Sequence, residues 1–247
     1  MQNNIYFYAT CVGSVSYSRA CADAIKILQQ SGANVIFKSA QTCCGQPSYN
    51  SGYFEESKNV ALYNMDLFDK PYPIVVASGS CAGMMKHDYP ELFHGTQHYE
   101  RACEFAGRVY EVAEYLDLVL GAKFEDRGEP VRVTWHSNCH ALRVAKCIPS
   151  CKRIIAQLSN VTLLELDGEE ECCGFGGTFA VKEPGISQKM VNSKIDDIKN
   201  KNIEYLITND GGCLLNISGA MDKMNVGVKS MHFYEFLARR IGLDADA

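Results

Sequence analysis

The triplet Cys-Cys-Gly occurs twice in this chain, at Cys43-Cys44-Gly45 and at Cys172-Cys173-Gly174. A shuffled chain of the same composition would hold only about 0.04 such triplets, so the pair points to an internal repeat. The flanking cysteines extend it. Cys11 precedes Cys43 by 32 residues, and Cys139 precedes Cys172 by 33. Cys81 follows Cys44 by 37 residues, and Cys213 follows Cys173 by 40. Each half therefore reads Cys, Cys-Cys-Gly, Cys. Apolar stretches keep the register: Ile74 to Cys81 matches Leu206 to Cys213, and Val35 to Phe37 matches Leu164 to Leu166. The first half carries extra residues at about 85–100 that the second lacks. Two domains are expected, 1–121 and 131–247, joined by a charged linker at 122–130 bounded by Gly121 and Pro130.

Short apolar runs at 5–8, 35–37 and 74–77, and again at 131–135, 161–166 and 205–208, predict buried parallel strands. Helical periodicity fills the intervals. The longest such pattern runs from Ala102 through Phe105, Val109, Val112 and Leu116 to Leu120, with Gly121 as its stop, and predicts one helix. In the second half, helices are expected around 151–158 and 186–198, in a short segment from about Leu214, and at 233–241. Strand–helix alternation of this kind is the mark of an α/β fold: two repeated lobes, each a small parallel sheet with flanking helices. Every repeated cysteine then falls just after a strand. In an open parallel sheet those positions share the carboxyl edge, where such sheets bind ligands. Four thiols from three loops converge, twice over. Nearby helix N-termini favour thiolates, and glycines such as Gly45 and Gly174 let backbone N–H groups approach sulfur closely.

The remaining composition narrows the chemistry. Twelve cysteines in 247 residues would suit a disulfide scaffold in a short secreted chain. This chain is not short, and its start, MQNNIYFYAT, lacks a basic and then apolar leader pattern. A cytoplasmic location is expected, where a cysteine excess signals metal binding or thiol chemistry. A net charge of −5 gives no reason to expect nucleic acid as a partner, and no apolar run is long enough to span a membrane. Four thiolates suit an iron–sulfur cluster or tetrahedral zinc. A metal-free dithiol function is a third possibility. Adjacent cysteines are expected to point different ways, which suits a larger cluster better than a single ion. No dinucleotide, Walker or nucleophile-elbow motif is present.

The double pattern resembles the cysteine-rich CCG domain family. That family includes the B subunit of heterodisulfide reductase and the cluster subunits of glycolate oxidase, anaerobic glycerol-3-phosphate dehydrogenase and lactate-utilization systems. The resemblance spans the whole chain and is carried by Cys43-Cys-Gly-Gln-Pro-Ser-Tyr-Asn-Ser-Gly52, Ser78-Gly-Ser-Cys81, Cys172-Cys-Gly-Phe-Gly-Gly-Thr-Phe179 and Gly212-Cys-Leu-Leu-Asn-Ile217. It implies an oxidoreductase subunit that carries iron–sulfur clusters, of 4Fe-4S type and up to one per half, held by Cys11, Cys43, Cys44, Cys81, Cys139, Cys172, Cys173 and Cys213. It implies L-lactate oxidation to pyruvate with a ferredoxin-like cluster protein and a third subunit. In the heterodisulfide reductase subunit each motif ends in Cys-x-x-Cys; here Ser78 and Asp210 stand at the first of those positions. They are candidates for an extra oxygen ligand or for an open position, and zinc in one half stays possible. A zinc-holding assembly module and a heterodisulfide- or thiol-reductase-like subunit are the competing functions.

Other polar residues carry weaker signals. His136 and His140 flank Cys139. His136 is expected beside the centre without binding it. His140 is a candidate for proton transfer, and Arg143 for pairing with a substrate carboxylate. Their ordinary alternatives are a hydrogen-bonded loop histidine and a solvated helix arginine. Cys21, Cys103, Cys147 and Cys151 fall outside the repeat and are expected to be structural.

Overall fold

A computed structural model describes residues 3–243; the outermost residues of the two expected domains, 1–2 and 244–247, lie outside the described residues. Among the described residues, eight strands form two sheets. The first contains β1 (Asn4–Tyr8), β2 (Asn34–Phe37), β3 (Ile74–Val76) and β4 (Val109–Glu111) in the order β2-β1-β3-β4. The second contains β5 (Val131–Trp135), β6 (Val161–Leu163), β7 (Tyr205–Thr208) and β8 (Lys229–His232) in the order β6-β5-β7-β8. Every pairing is parallel. In each sheet the chain steps outward from the first strand to the second, then returns to the third on the other side. The crevice at that reversal lies at the carboxyl ends of β1 and β3, and of β5 and β7. The central strands β1, β3, β5 and β7 are apolar and largely buried, as parallel sheets require, whereas the edge strands β2 and β6, expected to be buried, are half-exposed because each has a neighbour on one side only. Tyr6, Phe7, Val75, Val133 and Trp135 are fully buried, in one apolar core that runs through both sheets.

The fourth strand of each sheet was not expected. The pattern from Ala102 to Leu120 is not one helix. A helix at Tyr99–Ala106 ends, β4 follows, and helical turns resume at Val112–Glu114 and Tyr115–Val119. Val109 and Glu111 are buried while Tyr110 between them is half-exposed, a period of two inside a longer period of 3.6. β8 precedes the last helix (Phe233–Arg240) in the same way. The helix expected from Leu214 is longer and starts earlier, at Gly211–Lys223. β6 stops at Leu163, three residues short of the expected strand. Strand pairing also moves one match: Ile5 with Val35 corresponds to Val133 with Leu163, so Val35 aligns with Leu163 rather than Leu164.

Segment 122–130 is fastened along its length. The Arg240 guanidinium donates to both carboxylate oxygens of Asp126, at 2.8 and 2.7 Å, with the Asp126 side chain fully buried. The Phe124 N–H donates to Gln157 Oε1, and the Arg127 N–H to the Arg240 carbonyl. Across the two halves, the buried Tyr234 hydroxyl donates to Glu111 and accepts from the Ala113 N–H.

Two glycines in matching positions let the halves interlock. A Cβ on Gly79, after β3, would lie 2.5 Å from Ala141 Cβ; one on Gly211, after β7, would lie 2.9 Å from Tyr17 Cδ2. Each half's third loop thus presses on the other half's first loop, at a separation no larger residue permits.

Candidate metal centre

The three cysteine loops of each half meet at the carboxyl edge of its sheet. In the first half, Cys11 opens the short helix after β1, Cys43 and Cys44 sit in the loop after β2, and Cys81 lies in the helical turn Gly79–Gly83 after β3. Cys11 Sγ is 3.7 Å from Cys43 Sγ, and Cys44 Sγ is 3.3 Å from Cys81 Sγ. In the second half, Cys172 lies against Cys139, and Cys173 against Cys213. Both halves have an outer, partly exposed pair and an inner pair in which both thiols are buried. The adjacent cysteines reach different partners, as expected, yet also stay in contact with each other. All eight thiols line a single cavity of about 110 Å³ between the halves.

Backbone geometry readies one sulfur in each set. Gly45 and Gly174 adopt φ of 90° and 84°, a left-handed conformation that glycine adopts without strain. This turn aims the Gly45 N–H at Cys43 Sγ and the Gly174 N–H at Cys172 Sγ, each at 3.4 Å. The hydrogen bond from Cys11, with Cys44 and the Gly45 N–H adding to it, holds the Cys43 thiol down at about 3. The Cys172 thiol is held down to about 2, first by Cys139 and then by Cys173, with the Gly174 N–H adding. Cys11 and Cys139 are pushed upward, chiefly because they donate those bonds. A thiolate is the form that binds metals. Thiol-only coordination of this number fits an iron–sulfur cluster or zinc, and the N–H groups on sulfur are those that tune such a centre.

Ser78 and Asp210 are directed at each other. The Ser78 hydroxyl donates to Asp210 Oδ2 at 2.8 Å, and the Ser80 N–H donates to the same oxygen at 3.1 Å. Asp210 Oδ1 caps the Gly211–Lys223 helix by accepting the Cys213 N–H at 3.1 Å. The two positions considered for an extra ligand thus form a buried hydrogen-bonded bridge between halves, which engages both Asp210 oxygens.

His140 lines the cavity, with Nδ1 3.7 Å from Cys139 Sγ and Nε2 3.9 Å from Asp88 of the other half. Arg143 does not line it. Its guanidinium donates to the Glu170 carbonyl at 3.2 Å, in a separate surface depression formed by 166–171. Arg143 is thus placed apart from the cavity that the eight thiols line. The cysteines outside the repeat stand apart as well. The Cys21 thiol bonds the Ala9 carbonyl, Cys103 is exposed, and the Asn209 amide donates to the buried Cys147 and Cys151.

His136 lies beside the inner thiol pair of its half. It is fully buried, and neither ring nitrogen has a hydrogen-bond partner among the described residues. Leaving a buried polar atom unpaired costs roughly 1–3 kcal/mol. Burial, with Lys194 adding to it, pushes its pKa down to about 3, so the ring is neutral. One of its nitrogens and the sulfurs of Cys173 and Cys213 all lie within 4.8 Å of one another. The sequence marked His136 only as a neighbour of Cys139; its orientation toward Cys173 and Cys213 depends on tertiary packing.

Two parallel sheets that present matched cysteine sets to one cavity define a tandem cysteine-rich domain protein. A model of the CCG cysteine-rich domain matches residues 5–86 and 133–218, and the chain belongs to that family. Among its relatives, lactate utilization protein A of Oceanobacillus iheyensis is 37% identical over 234 residues, which is 94% of this chain and 96% of the relative. Lactate utilization protein A of Geobacillus kaustophilus is 38% identical over 239 residues, 96% of this chain and 99% of the relative. Among solved structures, a hypothetical protein from Helicobacter pylori superposes with a TM-score of 0.65 at 9% identity. That match covers 97% of this chain and 49% of the other, and shows the fold alone. No helix among the described residues is long and apolar enough to cross a membrane.

Proposed function

We propose that the chain is the iron–sulfur subunit of a multi-protein oxidoreductase that oxidises L-lactate to pyruvate. The carrying observation is that eight thiols, four from each half, line one cavity. The near full-length relatives named for lactate utilization supply the substrate. Cys11, Cys43, Cys44 and Cys81 would hold one cluster and Cys139, Cys172, Cys173 and Cys213 the other. Such clusters carry single electrons. The chain's own residues set the conditions: Gly45 and Gly174 direct N–H groups at sulfur, and the Ser78–Asp210 bridge fixes the third loops against each other. No lysine or arginine among the described residues lines the cavity. We therefore assign this chain to electron conduction, with the lactate carboxylate bound on a partner subunit. The ferredoxin-like cluster protein and a third subunit complete the system, in the cytoplasm.

The thiol spacing favours a second reading. Zinc–sulfur bonds of about 2.3 Å in a tetrahedron place neighbouring sulfurs about 3.8 Å apart, and Cys11 and Cys43 are 3.7 Å apart. On this reading the chain is a zinc-holding assembly module. Electron paramagnetic resonance of the anaerobically purified chain, before and after reduction, separates the two. A cluster signal that also develops on adding L-lactate with the partner subunits supports the first. A silent, zinc-loaded chain sinks it.

A further inference from the structure

We infer that His136 is a direct metal ligand of the second-half centre, which makes that centre a mixed nitrogen–sulfur site while the first-half centre is ligated by sulfur alone. The inference rests on the reading that the thiol sets hold metal, and deepens it.

Three independent observations converge on this residue. One His136 ring nitrogen and the Cys173 and Cys213 sulfurs lie mutually within 4.8 Å, the range a single metal atom closes when bound at about 2.0–2.3 Å. Both ring nitrogens are buried and without hydrogen-bond partners among the described residues. Buried imidazoles are ordinarily satisfied, so an unpaired ring beside two buried sulfurs is a ligand in waiting.

The third observation is the other half. Tyr6 pairs with Ile74 in the first sheet as Thr134 pairs with Leu206 in the second, so Tyr8 occupies the place of His136. The Tyr8 hydroxyl lies near the corresponding buried pair, Cys44 and Cys81, but is already committed, donating to the Thr42 carbonyl at 2.5 Å. The repeat thus places a satisfied phenol behind one inner pair and an unsatisfied imidazole behind the other. Neutral imidazole is a good ligand for zinc and iron; a phenol bonded to a carbonyl is not.

The test uses the full chain with histidine nitrogens labelled with ¹⁵N, loaded anaerobically with iron and sulfide, and read by pulsed electron paramagnetic resonance. The expected result is a large nitrogen coupling that changes with the isotope, disappears in His136→Gln and persists in His140→Gln. Loaded with zinc alone, the same chain should show nitrogen in the first shell of the zinc X-ray absorption spectrum. Metal present with sulfur-only coordination, or a coupling small enough to mark a hydrogen bond, overturns the inference and leaves the metal-centre reading standing. A coupling lost in His140→Gln but kept in His136→Gln also overturns it. No metal uptake overturns both. If His136→Gln fails to fold, the labelled native chain decides: no isotope-sensitive coupling is a negative result.

Discussion

The two halves share a sheet order, a four-thiol layout and a glycine N–H on sulfur, yet differ in what stands behind those thiols. Tyr8 backs the first set and His136 the second; Ser78 starts the first third loop and Asp210 the second. The first half adds a helix-rich insertion, from which Tyr89 bonds the Cys44 carbonyl; Asn216, on the Gly211–Lys223 helix, bonds the Cys173 carbonyl in the second. A repeat can keep its ligand frame while each copy diverges in the polar groups around it. In the Ser78–Asp210 bridge, a hydroxyl donor of one copy meets a carboxylate acceptor of the other.

The largest effects should come from the thiols. Cys44→Ser should remove the first centre and spare the second, and Cys173→Ser the reverse, each halving metal per chain and cutting lactate-dependent electron transfer at least about 100-fold. Loss of both centres from either single change would break the picture of two separate sets.

The interface bridge comes next. Asp210→Ala removes a helix cap, takes the acceptor from the Ser80 N–H and leaves the Ser78 hydroxyl only Ser80 Oγ at 3.3 Å. It should destabilise the chain by about 2–4 kcal/mol in urea unfolding, against about 1 kcal/mol for Ser78→Ala. Equal effects would mean that the asymmetry carries no energetic weight.

Glu111 and Tyr234 join the halves on another face. Burial pushes Glu111 up to about 7, even though hydrogen bonds from Tyr234 and the Ala113 N–H favour its carboxylate. The folded chain therefore keeps a proton that the unfolded chain releases near 4.5. The stabilisation is complete below that pH and is lost as pH rises through about 7, by up to about 3 kcal/mol. Glu111→Gln should flatten this part of the stability–pH curve; an unchanged slope would place its origin elsewhere.

Smaller effects refine the contrast further. Tyr8→Phe removes one hydrogen bond and should cost about 1 kcal/mol in urea unfolding without changing the metal content. Arg143→Ala should alter lactate-dependent activity of the assembled system by less than about twofold, as expected of a surface side chain.

Much of this molecule was legible in its cysteines. Two triplets and their flanks located the repeat, the strand ends and the convergence of four thiols, because carboxyl-edge loops of a parallel sheet share one side. β4 and β8 were not legible. β4, three residues with a buried Glu111 set among helix-compatible apolar residues, read as helix until strand pairing overrides local periodicity, and β8, Lys229–His232, offers no apolar run to mark a strand. Gly107 was the available signal for the break. The partners of Ser78, Asp210 and His136 were also hidden. Those of Ser78 and Asp210 depend on how one half sits on the other, and those of His136 on how the loops pack within its own half, which no local spacing encodes.

Each half is proposed to hold an iron–sulfur centre on its own four thiols, with His136 joining the second set. The most direct test of that proposal is iron, sulfide and zinc content per chain after anaerobic reconstitution. Two 4Fe-4S centres would give about eight irons and eight sulfides per chain. Less than about one iron per chain, with the eight thiols still free to titrate or occupied by zinc, would contradict it.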